Sequence, residues 1–244
     1  LLLLSNYMVT TMEKSKTGSR AYDIILVGGG HNGLVFQAYL SRAGYRTLCL
    51  DRADRIGGAC VTVERPERSG FYHNTHSFFH RGITGMPWFS ELGLEEAGAE
   101  YLQPELNTAV VLRDGRVLEW WTDLERTLGS FGEFNAGDAK RLKEWHERFQ
   151  PVMENILVPE SMRPPVPPEE REQQLAKTAE GRLLQEVSRL SPIEFVEKEF
   201  KDPAIKAGLL FFNGLREVDL RCRGFGHHIP ALLASRGRPQ MAVG

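Results

Sequence analysis

An α/β fold, with a dinucleotide-binding βαβ unit leading into a mainly helical region, is predicted by three features of the sequence. Residues 22–51, YDIILVGGGHNGLVFQAYLSRAGYRTLCLD, run from a β-rich apolar stretch through a Gly-x-Gly-x-x-Gly turn and an apolar helix pattern to a second β-rich stretch ending in an acid. An Asp114–Gly115 pair between two apolar runs signals a β-hairpin. Beyond it, apolar residues recur at helical spacing between prolines.

Each part of the first stretch has a physical task. Tyr22–Val27 has the composition of a buried strand, and Arg46–Leu50 reads as its parallel neighbour. Gly28 allows a tight exit from the first strand, Gly30 removes the side chain where a pyrophosphate must approach, and Gly33 lets helix and sheet pack closely. The helix begins near His31 and supplies its apolar residues over Leu34–Ala43. Its unpaired N–H groups and positive end face the phosphates, which brings His31 and Asn32 into the candidate cofactor site. Asp51 lies eighteen residues after Gly33, near the spacing of the carboxylate that accepts hydrogen bonds from an adenosine ribose. An acid there opposes a 2′-phosphate, which favours FAD or NAD over NADP, although the adjacent Arg52 softens the exclusion.

With 244 residues the chain can bury a substantial core as one large or two smaller domains. Hydrophobic residues at 41%, charged residues at 25% and a net charge of −2 describe a globular chain without the basic block that nucleic-acid binding requires. The four leading leucines are too short for a membrane span or secretory core, and residues 1–20 read as a flexible leader or an added extension. Peripheral membrane contact stays open, with no feature that indicates it. Cys49, Cys60 and Cys222 form an odd set without CxxC spacing, which fits reduced thiols in the cytoplasm. His73, His76 and His80 lie close together, but no cysteine at finger-like spacing and no HExxH motif joins them, so no metal site is expected.

The segment RADRIGGACVT, residues 52–62, follows the second strand closely. Its Gly57–Gly58 pair, with Ala59 after it, is expected to bring a second stretch of backbone to the nucleotide. VGGGHNGLV, the acid at Asp51, RIGGACVT and the later GFYHNTHSFF together resemble the phytoene dehydrogenase-related branch of the FAD-dependent amine oxidase and carotenoid desaturase superfamily. The resemblance is strongest over Tyr22–Phe79. It implies a glutathione-reductase-type Rossmann FAD-binding domain with an inserted α+β, mainly helical substrate domain. Residues 21–105 would then be the N-terminal part of the FAD domain and 106–244 the substrate or cap domain. FAD is preferred over NAD through this resemblance alone.

Two departures accompany the resemblance. Gln37 stands where the family has a small residue, which implies either wider helix–sheet spacing or a polar side chain turned from the sheet. Relatives are about twice as long and complete the FAD domain with a C-terminal return segment; here it is expected to be absent, or supplied by a companion chain covering the exposed apolar face. The family also places residues 71–80, FYHNTHSFFH, at the flavin. His76 is the candidate catalytic residue, with His73 and Ser77 as alternatives, and structural hydrogen bonding or cofactor positioning stays open for it.

Further along, Thr84–Ala99 reads as a short helix with turns, and the strands flanking Asp114–Gly115 lead to Trp120 and Trp121, which suit core packing or a ligand cavity. Helices are expected over Asp138–Phe149, Glu169–Leu190, Pro192–Phe200 and after Pro203. GFGHHIPALLASRG, residues 224–237, prepares another, where His227 and His228 suit a channel lining or buried hydrogen bonds.

These features together point to an FAD-dependent oxidoreductase removing two electrons from a C–H or C–N centre of an apolar or amine substrate. A NAD-linked dehydrogenase, or a noncatalytic cofactor-bound subunit of a larger assembly, are the alternatives.

Overall fold

The structure, a computed structural model, describes residues 21–65, 67–77, 80–214, 219–235 and 239–242. The leader expected over residues 1–20, and Phe78 and Phe79 of the aromatic segment, lie outside the described residues. The chain divides into two compact units, one reaching Gln103 and regaining residues from Gln240, the other spanning Pro104–Pro239.

In the first unit, β1 (Ile24–Val27) and β2 (Thr47–Leu50) pair in parallel from Ile24↔Thr47 to Val27↔Leu50, with α1 (His31–Arg42) connecting them. Gly44, at φ 88°, takes the left-handed turn that ends α1, and Tyr45 N–H closes back on the Leu40 carbonyl at 3.1 Å. Gln37 donates to Thr47 Oγ1 on β2 at 3.2 Å, so its polar end is satisfied beside the sheet. The antiparallel strands β3 (Thr62–Arg65) and β4 (Arg68–Asn74) follow, then β5 (His80–Arg81), a 3-10 turn at Ile83–Gly85, α2 (Pro87–Glu91) and β6 (Tyr101–Leu102). Tyr39 Oη donates to Glu91 at 2.5 Å, which ties α1 to α2. Among the described residues, only Leu40 and Phe89 of this unit are fully buried apolar side chains. On β1 the side chains alternate, and Ile25 and Val27 are 57% and 88% exposed.

The second unit opens with the hairpin of β7 (Leu106–Val111) and β8 (Val117–Trp121), turned at Gly115 with φ 86°. Next comes α3 (Leu124–Phe134), for which the sequence carried no clear signal; Asp123 caps it by accepting from Arg126 N–H at 2.8 Å. Asn135 similarly caps α4 (Ala136–Val152), which continues through a π-helical turn at Met153–Leu157 into α5 (Val158–Ser161). Then follow α6 (Pro168–Leu175), α7 (Ala179–Ser188), α8 (Pro192–Glu199), α9 (Pro203–Gly214) and α10 (His228–Leu233). Ser191 and Glu194 form a reciprocal capping box on α8. The core is here: Phe131, Phe149, Phe195, Ile205, Leu209 and Ile229 are each 0% exposed. β9 (Pro239–Ala242) lies between β5 and β6, pairing antiparallel with β6, so the chain's last described segment contributes the middle strand of a three-stranded sheet separate from that of β1 and β2.

The single helix expected over Glu169–Leu190 is two. Thr178 stops the first and caps the second by accepting from Gly181 N–H at 3.0 Å. A Cβ on Gly181 would lie 2.0 Å from the Leu175 carbonyl oxygen, so the break is as tight as backbone allows. Gly181→Ala is expected to destabilise this unit by about 2 kcal/mol in chemical denaturation, overcoming alanine's better helix propensity.

His227 shares a 2.9 Å hydrogen bond between its Nδ1 and Ser188 Oγ. Burial, with His228 and then Arg171 adding to it, pushes its imidazole down to about 4 from the usual 6.5. Between those values the unfolded chain binds the proton and the folded chain does not, so stability rises with pH. Urea unfolding should give a free energy lower by up to about 3 kcal/mol at pH 4 than at pH 7, with most of that slope lost in His227→Gln.

Candidate functional site

The site is assembled from backbone. β1 ends in Gly28, whose φ of 101° turns the chain and whose N–H reaches the Leu50 carbonyl of β2 at 2.7 Å. At Gly33 a Cβ would stand 2.6 Å from the Gly28 carbonyl oxygen, so only hydrogen fits where α1 passes the strand exit. Gly30 is the N-cap of α1, no side-chain cap bond is present, and no acid lies in the first turn. A Cβ placed on Gly30 meets no atom within 4 Å, so this position faces open space at the positive end of the helix. The side chains of His31 and Asn32 are exposed at the same end.

Sequence reasoning passed over Gly29. Its N–H donates to Asp51 Oδ2 at 2.7 Å, and a Cβ there would strike Ile56 Cγ2 at 2.8 Å. The signal was the middle glycine of the run in VGGGHNG, at a position where the dinucleotide turn requires none. Asp51 also accepts from Ala53 N–H at 2.8 Å through Oδ1. The Ala53 N–H first, and then the Gly29 N–H, hold the carboxyl below its ordinary range. Each oxygen retains acceptor capacity for a hydroxyl. Arg52 is exposed beside it.

The second loop closes on the first. Gly57 N–H donates to the Gly29 carbonyl at 2.7 Å, Gly30 and Gly57 form an isolated parallel bridge, and a Cβ on Gly58 would lie 3.0 Å from the Gly30 Cα. Gly57 and Gly58 both have positive φ, 121° and 60°, which an L side chain would strain. The Ala59 carbonyl accepts from Ser77 N–H at 3.1 Å, which links this loop to the segment after β4. The predicted cofactor residues are thus gathered at one place.

The predicted catalytic segment is less concentrated. His76 is exposed, with its Nδ1 3.0 Å from Thr75 Oγ1 in a shared hydrogen bond. His73 is exposed on β4, and Ser77 Oγ pairs with His80 Nε2 at 2.8 Å. His80 was weighed only as a metal ligand, yet its Nδ1 is buried without a hydrogen-bond partner among the described residues. Among the described residues no group of three or more His, Cys, Asp and Glu is placed to hold a metal ion.

Residues 26–91 match the family model of the NAD(P)-binding Rossmann-like domain. The chain is 32% identical over 198 residues, 81% of its length, to a limonene dehydrogenase subunit of Castellaniella defragrans, and covers 36% of that protein. It is 27% identical over 77% of its length to the rat pyridine nucleotide-disulfide oxidoreductase domain-containing protein 2, covering 30% of it. The chain therefore spans about a third of the length of these curated relatives. Among solved structures, a variant of putrescine oxidase aligns over 91% of this chain and 46% of its own, with a TM-score of 0.53 at 14% identity. The fold is thus a Rossmann-like dinucleotide-binding unit with a mixed, largely helical α+β unit, an arrangement shared with the putrescine oxidase structure.

Two outcomes follow from the geometry. Gly33→Ala should disturb the βαβ packing itself, lowering the stability of the first unit by about 2 kcal/mol in denaturant titration. For Asp51, a depressed folded pKa means that the charged clasp on Gly29 is fully present above the unfolded value and lost as pH falls through the folded one. A carboxyl 13C titration should therefore place its midpoint below the ordinary value of about 3.9.

Proposed function

We propose that this chain is the cofactor-holding part of an FAD-dependent oxidoreductase that removes two electrons from a C–H or C–N centre of an apolar or amine substrate. The observation that carries the reading is the double glycine cradle, in which the Gly28–Gly33 turn at an uncapped helix N-terminus is clasped by Gly57 and Gly58. The residues fit a dinucleotide: space opens at Gly30, the first turn carries no side-chain cap, and an ionised acid waits at the end of β2. The N–H groups of His31, Asn32 and Gly33 would hold the pyrophosphate, Asp51 the adenosine ribose, and the backbone of Gly57, Gly58 and Ala59 would flank the nucleotide with Arg52 at its edge. Bound FAD would supply the two-electron acceptor.

The phytoene dehydrogenase-related branch, and with it a glutathione-reductase-type FAD domain, rests on VGGGHNGLV, RIGGACVT and GFYHNTHSFF, and dehydrogenation chemistry is supported by the similarity to a protein named as a limonene dehydrogenase subunit. That name also supports a companion polypeptide. The apolar side chains of Ile25 and Val27 on β1, with Leu50 of β2 at 48% exposure, are where the remainder of an FAD domain would pack. His76 serves as the exchanging proton carrier: Thr75 holds its Nδ1, and its exposed ring reaches solvent. Cys49, Cys60 and Cys222 are free, which suits a reducing cytoplasm, and no helix among the described residues is long and apolar enough to cross a membrane. The match to an NAD(P)-binding model favours a second reading, a NAD-linked dehydrogenase.

Gly30→Ala should leave folding intact, because its methyl meets no protein atom within 4 Å, and lower cofactor occupancy about tenfold or more through contact with the pyrophosphate. Flavin absorbance and native mass spectrometry of the purified protein, with any companion chain, read this directly. Unchanged occupancy removes the cradle assignment, and reversible nicotinamide binding without flavin establishes the second reading. His76→Ala should retain flavin while slowing its reduction by substrate about a hundredfold or more; an unchanged rate takes His76 out of the chemistry.

A further inference from the structure

We propose that the second unit carries a binding site of its own for a small, neutral, aryl-bearing alcohol, with His146 as the acceptor of the ligand's hydroxyl. A cavity of about 230 Å³ lies among the end of β8, the start of α3, one face of α4 and the end of α10. Its apolar walls are Trp120, Trp121, Leu124, Leu142 and Leu233. Every residue lining it belongs to Pro104–Pro239, so the cavity is a property of this unit alone.

The walls are held in place from behind. Trp120 packs edge-to-face on Phe131 and Phe212, with ring centroids 6.2 and 5.0 Å away. Arg126 covers one face of Trp121 at 3.4 Å from the ring centroid, and the Trp121 Nε1–H donates to Glu119 at 3.0 Å. Rings fixed in this way present flat surfaces whose ordering cost has already been met in folding. Thr127 lines the cavity too, but its hydroxyl is engaged with the backbone of Trp121 and Asp123.

The chemistry at the polar end follows from one hydrogen bond. His146 Nδ1 lies 2.8 Å from the Leu233 carbonyl oxygen. A carbonyl can only accept, so Nδ1 carries the hydrogen, and Nε2 of the neutral ring is then an acceptor. Nε2 has no partner among the described residues, and His146 lines the cavity. The lining contains no Asp, Glu, Lys or Arg among the described residues, so neither an ammonium nor a carboxylate ligand would find a counter-charge. The lining also carries Asn107, Thr122 and Ser235; the Thr122 hydroxyl donates to the Glu105 carbonyl at 2.9 Å, and Asn107 and Ser235 have partners of their own, so the ligand that fits is an uncharged molecule bringing at least one donor for Nε2. A cavity of about 150 Å³ accommodates benzene, so this one suits about nine non-hydrogen atoms.

The test is isothermal titration calorimetry of the full chain with 2-phenylethanol and with ethylbenzene, which lacks the hydroxyl. It needs no nucleotide, so its outcome is separate from that of the redox reading. Saturable one-site binding is expected, with the alcohol at least tenfold tighter. His146→Leu should bring the two ligands within about twofold of each other, His146→Gln, which keeps an acceptor, should restore part of the preference, and Leu124→Trp should block both by filling the cavity. Circular dichroism checks that each variant is folded. Absence of saturable binding in the parent chain, equal affinity for the two ligands there, or undiminished binding in folded Leu124→Trp each overturns the proposal.

Discussion

The passage of α1 across the exit of β1 leaves room for a hydrogen atom and nothing larger at Gly33, and the rest of the candidate cofactor site is hung on that contact. With helix and strand this close, Gly29 N–H falls on Asp51 and its carbonyl on Gly57 N–H, so the acid and the second loop are both tied to one residue. The cradle is therefore a property of backbone spacing. Side chains enter chiefly by being absent, which is why positive φ at Gly28, Gly57 and Gly58 clusters there.

The two units resolve the cost of folding differently. The second encloses its own core, and even its buried charges are met: Asp138 accepts from Lys201 and Asp202 backbone N–H groups, and Glu199 accepts from Trp145 Nε1 at 2.9 Å and from Arg141. The first unit buries few apolar side chains fully and leaves one face of β1 in solvent. Strands of a parallel sheet ordinarily have both faces covered, so the apolar composition of Ile24–Val27 describes a more enclosed setting than the described residues provide.

What could be read from the sequence was whatever local sterics dictate. The glycine spacing, the Asp114–Gly115 turn and the prolines opening α8 and α9 act within a few residues, and the structure holds each of these elements where the pattern put it. Hidden were the features that depend on distant partners. α3 carries Gly129 and Gly132, poor helix formers, and exists because it packs on β8 and α4. The meeting of His146 with Leu233 spans 87 positions, and no periodicity announces it. Trp120 and Trp121 were weighed as either packing or cavity-lining; Trp120 does both.

The placement of β9 between β5 and β6 has a consequence for the order in which the molecule matures. A sheet whose middle strand comes from residues 239–242 stays unfinished on the ribosome until everything before them has been made. The helical unit, continuous in sequence and rich in short-range contacts, can fold while the nucleotide-binding unit still waits for a strand. Closing the three-stranded sheet of β5, β9 and β6 is thus a late, long-loop event whose entropic cost is lowered once the intervening chain has compacted.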